Sequence, residues 1–365
     1  MLSQFSFQYF SRSELRNNPD LIARISKSVR KEEQESDYPL PVPDIEFYQA
    51  RYSLIPFPFD EQNYILIENE NKIIGHGIMS TNTRLNSEMA FIFVYIIPEY
   101  RGHKISKLVI NHLLKTIPVR VKTVFFPIRA DEYAPNYDFR KSLINHVLSK
   151  VGPVTFKARR STSDLTRFKK EEITSKAETL KNEAVRKGFS FEFVEGRPDF
   201  EKLAFSEADY IAFLESIDND MPRENASFED IKLTSEMFNY RFDILKPLKR
   251  KRWHYIAIHN QSNKPVGLTE IIFNHTNPIV IHQGDTGVFH KYRGNKLGLT
   301  LKYMMLAKIL TSIATITAKN WTTFNAASNS YMIKINDDLG YKEDALWYQF
   351  ELEKEKFIDL FDMLP

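Results

Sequence analysis

The stretch "DTGVFHKYRGNKLGLTLKYMMLAKIL", Asp285–Leu310, runs from an apolar, β-branched segment through a basic turn into a long amphipathic pattern. An earlier stretch, "FVYIIPEYRGHKISKLVINHLL", Phe93–Leu114, has the same form. Tyr100, Arg101, Gly102 and Lys104 correspond to Tyr292, Arg293, Gly294 and Lys296 at a constant offset of 192 residues. The same offset carries Asn71, Lys72 and Gly75 onto Asn263, Lys264 and Gly267, so 26 residues separate hairpin glycine from basic turn in both halves. A shared tripeptide arises by chance, whereas a shared internal spacing of this length marks a duplicated domain; the period is too long for a solenoid repeat.

The pattern around the two turns agrees. In the first half "NYILIEN" and "KIIGHGIM" read as strands joined by a polar turn at Asn69–Asn71, followed by the strands "MAFIFVYII" and "VKTVFFPI". Between the last two, Ile105, Leu108, Val109, His112 and Leu113 recur at helical spacing. In the second half "HYIAIHN", "PVGLTEIIF" and "IVIHQGDTGVF" repeat the meander, and Leu297, Leu301, Met304 and Met305 mark the helix. "IATITA" is expected as the next strand, and "NAASNSYMIKINDDLGY" as a helix closed by Gly340. The boundaries that follow are a first domain over 1–160, a charged linker helix over 161–188 and a second domain over 189–365. The dense basic run "KPLKRKRW", Lys246–Trp253, reads as a solvated loop before a strand, with a cofactor-phosphate contact or a nuclear address as alternatives.

A helix N-terminus leaves backbone N–H groups unpaired and carries partial positive charge. Small residues let those amides approach an anion, so strand, basic turn and helix form a natural pyrophosphate cradle. The turn is not a nucleotide P-loop, because "YRGNKLGLT" lacks the four-residue gap and the Gly-Lys-Ser/Thr ending. It also lacks the dinucleotide G-x-G-x-x-G pattern. At these residues the chain resembles the GNAT acyl-CoA N-acyltransferase superfamily, whose signature is Arg/Gln-x-x-Gly-x-Gly/Ala. The second copy fits as Arg293, Gly294, Asn295, Lys296, Leu297 and Gly298, with lysine in place of the first motif glycine. The first copy, "RGHKIS", departs at both small positions with Lys104 and Ser106, which marks it as the degenerate one. The run "HQGDTGVFHKYRGNKLGLTLK" with "WTTFNAASNSYMIKINDDLGY" is similar to tandem-domain GNAT proteins, loosely including mycothiol-synthase-like acetyltransferases.

The resemblance implies a mixed α/β (α+β) fold of two tandem GNAT domains and an acetyl-CoA-dependent N-acetyltransferase. The acceptor would be an amine on a small molecule or peptide, with direct acyl transfer in the second domain. It further implies that Thr286, Gly287 and Val288 form the strand edge beside the thioester, and that Arg293–Gly298 hold the pyrophosphate. Asn325 and Asn329 would bond the pantetheine arm, with helix N-capping as their competing role and the better one for Asn325. Asp285, His282 and Glu270 are the candidates for the general base. His282 and Asp285 would face opposite sides of a regular strand unless a bulge intervenes. Asn336 stands where many relatives carry a tyrosine that protonates the coenzyme thiolate. The acceptor pocket is expected from "SIDNDMPRENASFEDIK", where Asp218, Asp220 and Glu224 suit a cationic amine, and from the region around Phe273–Pro278. The rival expectation is a non-catalytic acyl-CoA-binding or interaction module.

Composition narrows the alternatives. The 365 residues suffice for two domains with separate cores. Fifty basic and 47 acidic side chains leave a net charge of +3, against broad nucleic-acid binding, which needs many phosphates neutralised. No apolar run approaches the roughly 20 residues of a membrane-spanning helix. "MLSQFSFQYFSRSELR" lacks the pattern of a signal peptide, and a cytoplasmic location is expected. Cysteine is absent, which removes thiolate nucleophiles and cysteine-based metal sites; no metal is expected. A chain that already holds two copies is compatible with a monomer.

Overall fold

Alternating apolar strands need a second layer to cover each face, and here amphipathic helices follow the strands in both halves. A computed structural model describes residues 4–36, 40–131, 137–151, 153–276, 279–312 and 317–362. The chain divides into two units. The first takes in the chain up to Arg159, the segment Arg223–Glu229 and everything from Asp344 onward; the second holds Arg160–Pro222 and Asp230–Glu343.

In chain order the first half runs β1 (Phe5–Ser11), α1 (Arg12–Arg16), α2 (Pro19–Ser36), α3 (Ile45–Ser53), β2 (Asp60–Asn69), β3 (Lys72–Asn82) and β4 (Met89–Ile96). It continues through α4 (Ile105–Lys115), β5 (Thr123–Asp131), α5 (Tyr137–Val151) and β6 (Phe156–Asp164). The second half runs α6 (Lys170–Arg186), β7 (Phe189–Glu195), α7 (Glu207–Asn219), α8 (Ser235–Asp243), β8 (Arg250–His259), β9 (Lys264–Asn274) and β10 (Val280–Val288). It ends with α9 (Leu297–Thr311), β11 (Asn320–Ala326), α10 (Ser330–Asp338), β12 (Lys342–Glu353) and α11 (Lys354–Asp362).

In the first unit the strand order is β1-β2-β3-β4-β5-β12. The neighbours are antiparallel except β4 and β5, which run parallel and pair only over Met89–Phe91 and Thr123–Phe125. In the second unit the order β7-β8-β9-β10-β11-β6 repeats the plan, with β10 and β11 parallel over only Val280–His282 and Asn320–Thr322. Beyond those three pairs the parallel strands of each unit part. This is the mixed α/β architecture expected from the repeat.

The cores explain the helix positions. In the second unit Tyr210, Phe213, Leu214 and Ile217 of α7 and Phe238 of α8 pack on Ile256, Ile258 and Leu268 of the sheet. The opposite face takes Met305, Leu306 and Ile309 of α9 against Trp253, Ile271, Phe273 and Trp321. Helix α6, the expected linker, belongs to this unit and packs along α9 through a stripe that buries Ala177, Leu180 and Ala184. In the first unit Val109 and Leu113 of α4 share one core with Phe126, Phe350, Phe357 and Leu360. Phe126 lies 5.3 Å from the Phe350 ring and 5.1 Å from the Phe357 ring, so the last strand and helix of the chain complete the first unit.

Three local expectations are corrected. Of the expected strand "IATITA", residues 313–316 lie outside the described residues, Thr317 and Ala318 are irregular, and β11 begins at Asn320. The helix that follows begins at Ser330 and not at Asn325. The basic run is not a loop throughout, because β8 starts at Arg250 and alternation drives Arg252 into the interior. Among the described residues no helix is long and apolar enough to cross a membrane.

Candidate functional site

The two basic turns have the same backbone. A short 3-10 turn over Pro98–Tyr100 or His290–Tyr292 leads into an extended arginine. Gly102 and Gly294 follow at φ 81° and 83°, where a side chain would be strained. Lys104 and Lys296 then precede α4 and α9 in the left-handed region, with φ 59° in both and ψ 16° and 15°. This is where the family signature places its first glycine; a lysine there costs about 1–2 kcal/mol. Neither lysine caps its helix through its side chain, and the Lys296 Nζ points away to Glu183 of α6 at 3.4 Å. The first intrahelical bond of α9 is from Thr300 N–H to the Lys296 carbonyl at 2.9 Å. The amides of Leu297, Gly298 and Leu299 therefore have no partner inside the helix. A Cβ on Gly298 would meet only ordinary contacts, with Ile335 at 3.6 Å and Val288 at 3.8 Å, so glycine keeps space open there.

The signature arginines brace the turns. Arg101 Nε donates to the Ile96 carbonyl at 2.9 Å, and Arg293 Nε to the Val288 carbonyl at 3.2 Å. Each guanidinium also pairs with a carboxylate, Glu35 in the first unit and Asp220 in the second. Their charge is spent on joining strand end to turn, which leaves the backbone amides of the turn as the donors available to an anion. Beside the first turn a cavity of about 210 Å³ opens between the parted strands. Tyr95, Ile96, Arg101, Ser106, Ile110 and Arg140 are among the residues that line it.

The two units differ at the strand before the turn. In the first, β3 and β4 pair without a break from Gly75 with Ile96 to Thr81 with Ala90, and Ile78 stands opposite Phe93. In the second, the register shifts between Gln283 and Thr286 of β10, so two residues, Gly284 and Asp285, oppose the single Glu270 of β9. This is a β-bulge, and it answers the question of facing: the extra residue returns Asp285 to the side of the strand that carries Glu270. Gln283 holds the bulge, with Nε2 bonded to the Glu270 carbonyl at 2.6 Å and to the hydroxyls of Thr286 at 3.1 Å and Thr269 at 3.2 Å. Gly284 leaves room for the acid, since a Cβ there would lie 2.5 Å from Glu270 Oε1.

Around the bulge lies a buried charge cluster. Arg252 Nη1 is 3.2 and 3.1 Å from the two Glu270 oxygens, and His254 Nδ1 is 3.5 Å from Oε2. Burial opposes charge on Glu270, but Arg252, His254 and Arg241 outweigh it and hold the carboxyl below its usual range. Burial depresses His254 to about 4, and the charge of Glu270 opposes that fall. Asp285 behaves oppositely: burial, then the charges of Glu270 and Asp218, push its carboxyl up to about 7. Its side chain is still 30% exposed, and Arg241 Nη1 stands 4.0 Å away while Nη2 holds Asp218 at 3.2 Å. Two carboxyl groups with pKa values driven apart are what acid–base chemistry near neutrality needs.

The other expected residues fall as follows. Thr286, Gly287 and Val288 form the end of β10, directly before the turn. His282 is exposed and sits where β10 still pairs with β11, its Nδ1 3.3 Å from the Thr322 hydroxyl. Asn329 caps α10, accepting from Met332 N–H at 3.2 Å. Asn325 caps nothing: it lies on β11 and accepts from Asn336 Nδ2 at 2.7 Å. Asn336 is buried, and Tyr331 is exposed at the opposite end of α10. Asp218 and Asp220 are paired with arginines, while Glu224 belongs to the first unit and accepts from Lys157 N–H. Phe273 is core, and residues 277–278 lie outside the described residues. Sequence alone missed Arg252, His254, Arg241, Gln283 and Lys302; alternation along β8 was the available signal for the first two. Among the described residues no group of three or more potential ligands could hold a metal ion.

Comparison with known proteins bears on the family. Residues 27–126, from α2 to β5 of the first unit, match the model of the acetyltransferase (GNAT) family. A search of curated protein sequences gives no match. Among solved structures, the chain is similar to a tandem GNAT protein from the clavulanic acid biosynthesis pathway, at 17% identity and a TM-score of 0.65 over 96% of this chain and 98% of that one. It is also similar to a GCN5-related N-acetyltransferase from Sphaerobacter thermophilus, at 11% identity and a TM-score of 0.61 over 96% of each chain. At such identities the likeness is one of fold. Residues 27–126 thus match the GNAT family model, and the duplicated turns and parted parallel strands agree with the fold that the chain shares with these tandem and GCN5-related proteins.

Proposed function

We propose that the chain is an N-acetyltransferase that moves the acetyl group of acetyl-CoA to a primary amine in its second unit. The observation that carries this is the bulge in β10, which sets Asp285 beside Glu270 where β10 and β11 have parted, directly ahead of Thr286–Val288. The amides of α9 and its turn hold the pyrophosphate, and the thioester lies along Thr286–Val288, where strand N–H groups not bonded to β9 face the split. Asp285 takes the proton of the amine, whose nitrogen forms the new bond to the carbonyl carbon; the sulfur leaves with its bonding pair as a thiolate. Glu270 stays ionised, keeps Asp285 basic and, with Asp218, attracts a cationic acceptor. Positioning supplies much of the rate in such a site. The first unit, with Ile78 and Phe93 at the matching places, has no carboxylates there to do this chemistry.

A second reading is a binding module that holds an acyl-CoA without turnover. The cavity beside the first turn and the family match over that unit favour it. Release of free coenzyme A from acetyl-CoA across a panel of primary amines separates the two. Gly298→Val is expected to abolish turnover, with its urea midpoint checking that the chain still folds, since a Cβ there meets only ordinary contacts, whereas Ser106→Val should leave turnover within about twofold. The reverse pattern would move catalysis to the first unit. Tight acetyl-CoA binding with turnover on no amine would leave the module.

A further inference from the structure

Lys302 lies on α9 with no solvent exposure. Burying an ammonium is costly unless it does something specific, and the fold does not require one here. At the 192-residue offset the first unit has Ile110, which lines its cavity. In the second unit Lys302 Nζ donates to Asn336 Oδ1, with the Trp321 ring centre 5.6 Å and the Tyr341 ring centre 5.0 Å away. Burial lowers the lysine to about 7, and it raises Tyr341, the titratable group facing it, so that the phenol stays neutral.

The direction of the bonds is fixed by chemistry. In its charged form Lys302 only donates, so the Asn336 oxygen then faces it and the Asn336 amide faces outward. That amide donates to Asn325 Oδ1 at 2.7 Å, which turns the Asn325 Nδ2 into the terminal donor of the chain. Asn325 lies on β11 three residues past Thr322, its last pair with β10, at the edge of the split. A cation thus polarises two amides in series, and the free end is a donor at the place where the proposed reaction releases a thiolate.

We propose that Lys302 is a positioning residue for the leaving group: through Asn336 and Asn325 it stabilises the coenzyme A thiolate at the split between β10 and β11. This rests on the second unit being the one that holds the coenzyme. As the C–S bond breaks, its electron pair goes to sulfur, and the donor chain lowers the basicity of that anion without giving up a proton. The anion in turn raises the charged fraction of Lys302.

The test needs no acceptor. Full-length protein is loaded with coenzyme A, and the thiolate absorbance is followed in the ultraviolet as pH rises. In the wild type the bound thiol is expected to be about tenfold more acidic than a free thiol of pKa roughly 8.5, and Lys302→Met should remove that gain. Coenzyme affinity by calorimetry should change less than the thiol acidity does, which a merely structural role would not produce. Equal thiol titrations in wild type and Lys302→Met would overturn the inference. If Lys302→Met does not fold, Asn336→Ala decides: it should also make the thiol less acidic, and an unchanged titration again overturns the inference. Gly298→Val separates the two levels. If coenzyme binding survives it, the coenzyme is not in the second unit and both proposals fall. If binding is lost while Lys302→Met leaves the titration unchanged, only the lysine's role falls.

Discussion

Asp285 makes the most direct pH prediction. A base must be ionised to work, so with its carboxyl pushed up to about 7 by burial and by Glu270, kcat/KM should rise with pH up to about 7 and level off above it. Asp285→Asn should lose about 10²–10³ in kcat/KM and flatten that limb. The stability sign is opposite. The folded form keeps a proton that the unfolded chain loses above its ordinary value of 3.8, so Asp285 contributes less stability as pH rises from about 4 to 7. Above pH 7 the Asp285→Asn protein should therefore be at least as stable as the wild type in urea unfolding. A limb that persists in the variant would assign it to another group. Asp285 was legible as a polar residue at a strand end; its raised pKa was not, because Glu270, Asp218 and Arg241 reach it from β9, α7 and α8.

At the scale of the element, the bulge is what separates a carboxylate-bearing strand from an apolar one. Gly284 sits in it because the Glu270 carboxylate, fixed by Arg252, occupies the volume of any Cβ. Gly284→Ala should cost about 1–3 kcal/mol by denaturant midpoint, and kcat should fall with it as Glu270 is displaced. A stable and fully active Gly284→Ala would show that the acid is free to move. The two turns were readable down to the residue, since Gly102 and Gly294 meet a positive φ that a side chain resists. The bulge was not readable: a one-residue register shift leaves no trace in a period-two pattern as short as "IVIHQGDTGVF". Arg252 was hidden for a related reason, because a charged residue in a basic run looks solvated until a partner strand supplies Glu270.

For the whole molecule the decisive feature is the return of the last segment to the first unit. Ala345–Glu353 of β12 pair with Thr123–Asp131 of β5, and Phe350, Phe357 and Leu360 enter the first core. A chain ending at residue 343 would leave β5 with an unpaired edge and open the core around Phe126. Such a truncation should lose the cooperative unfolding of the first unit in calorimetry, and a peptide of residues 344–365 should restore it. Retained cooperativity in the truncated chain would mean that the first unit closes without its C-terminal strand.

The sequence by itself determined the duplication, the strand–turn–helix unit and the mixed α/β class. Each rests on local physics: a glycine at positive φ, an arginine reaching back to a carbonyl five residues earlier, and an apolar period that fits a strand or a helix. Only the tertiary structure decided which carboxyl is buried beside which cation, that Lys302 faces Asn336 rather than solvent, and that the chain's end completes its beginning. Those depend on contacts between residues far apart in the chain, such as Arg252 with Glu270 or Phe126 with Phe350, whose energies come from exclusion of water and pairing of charge, and neither leaves a periodic mark in the sequence.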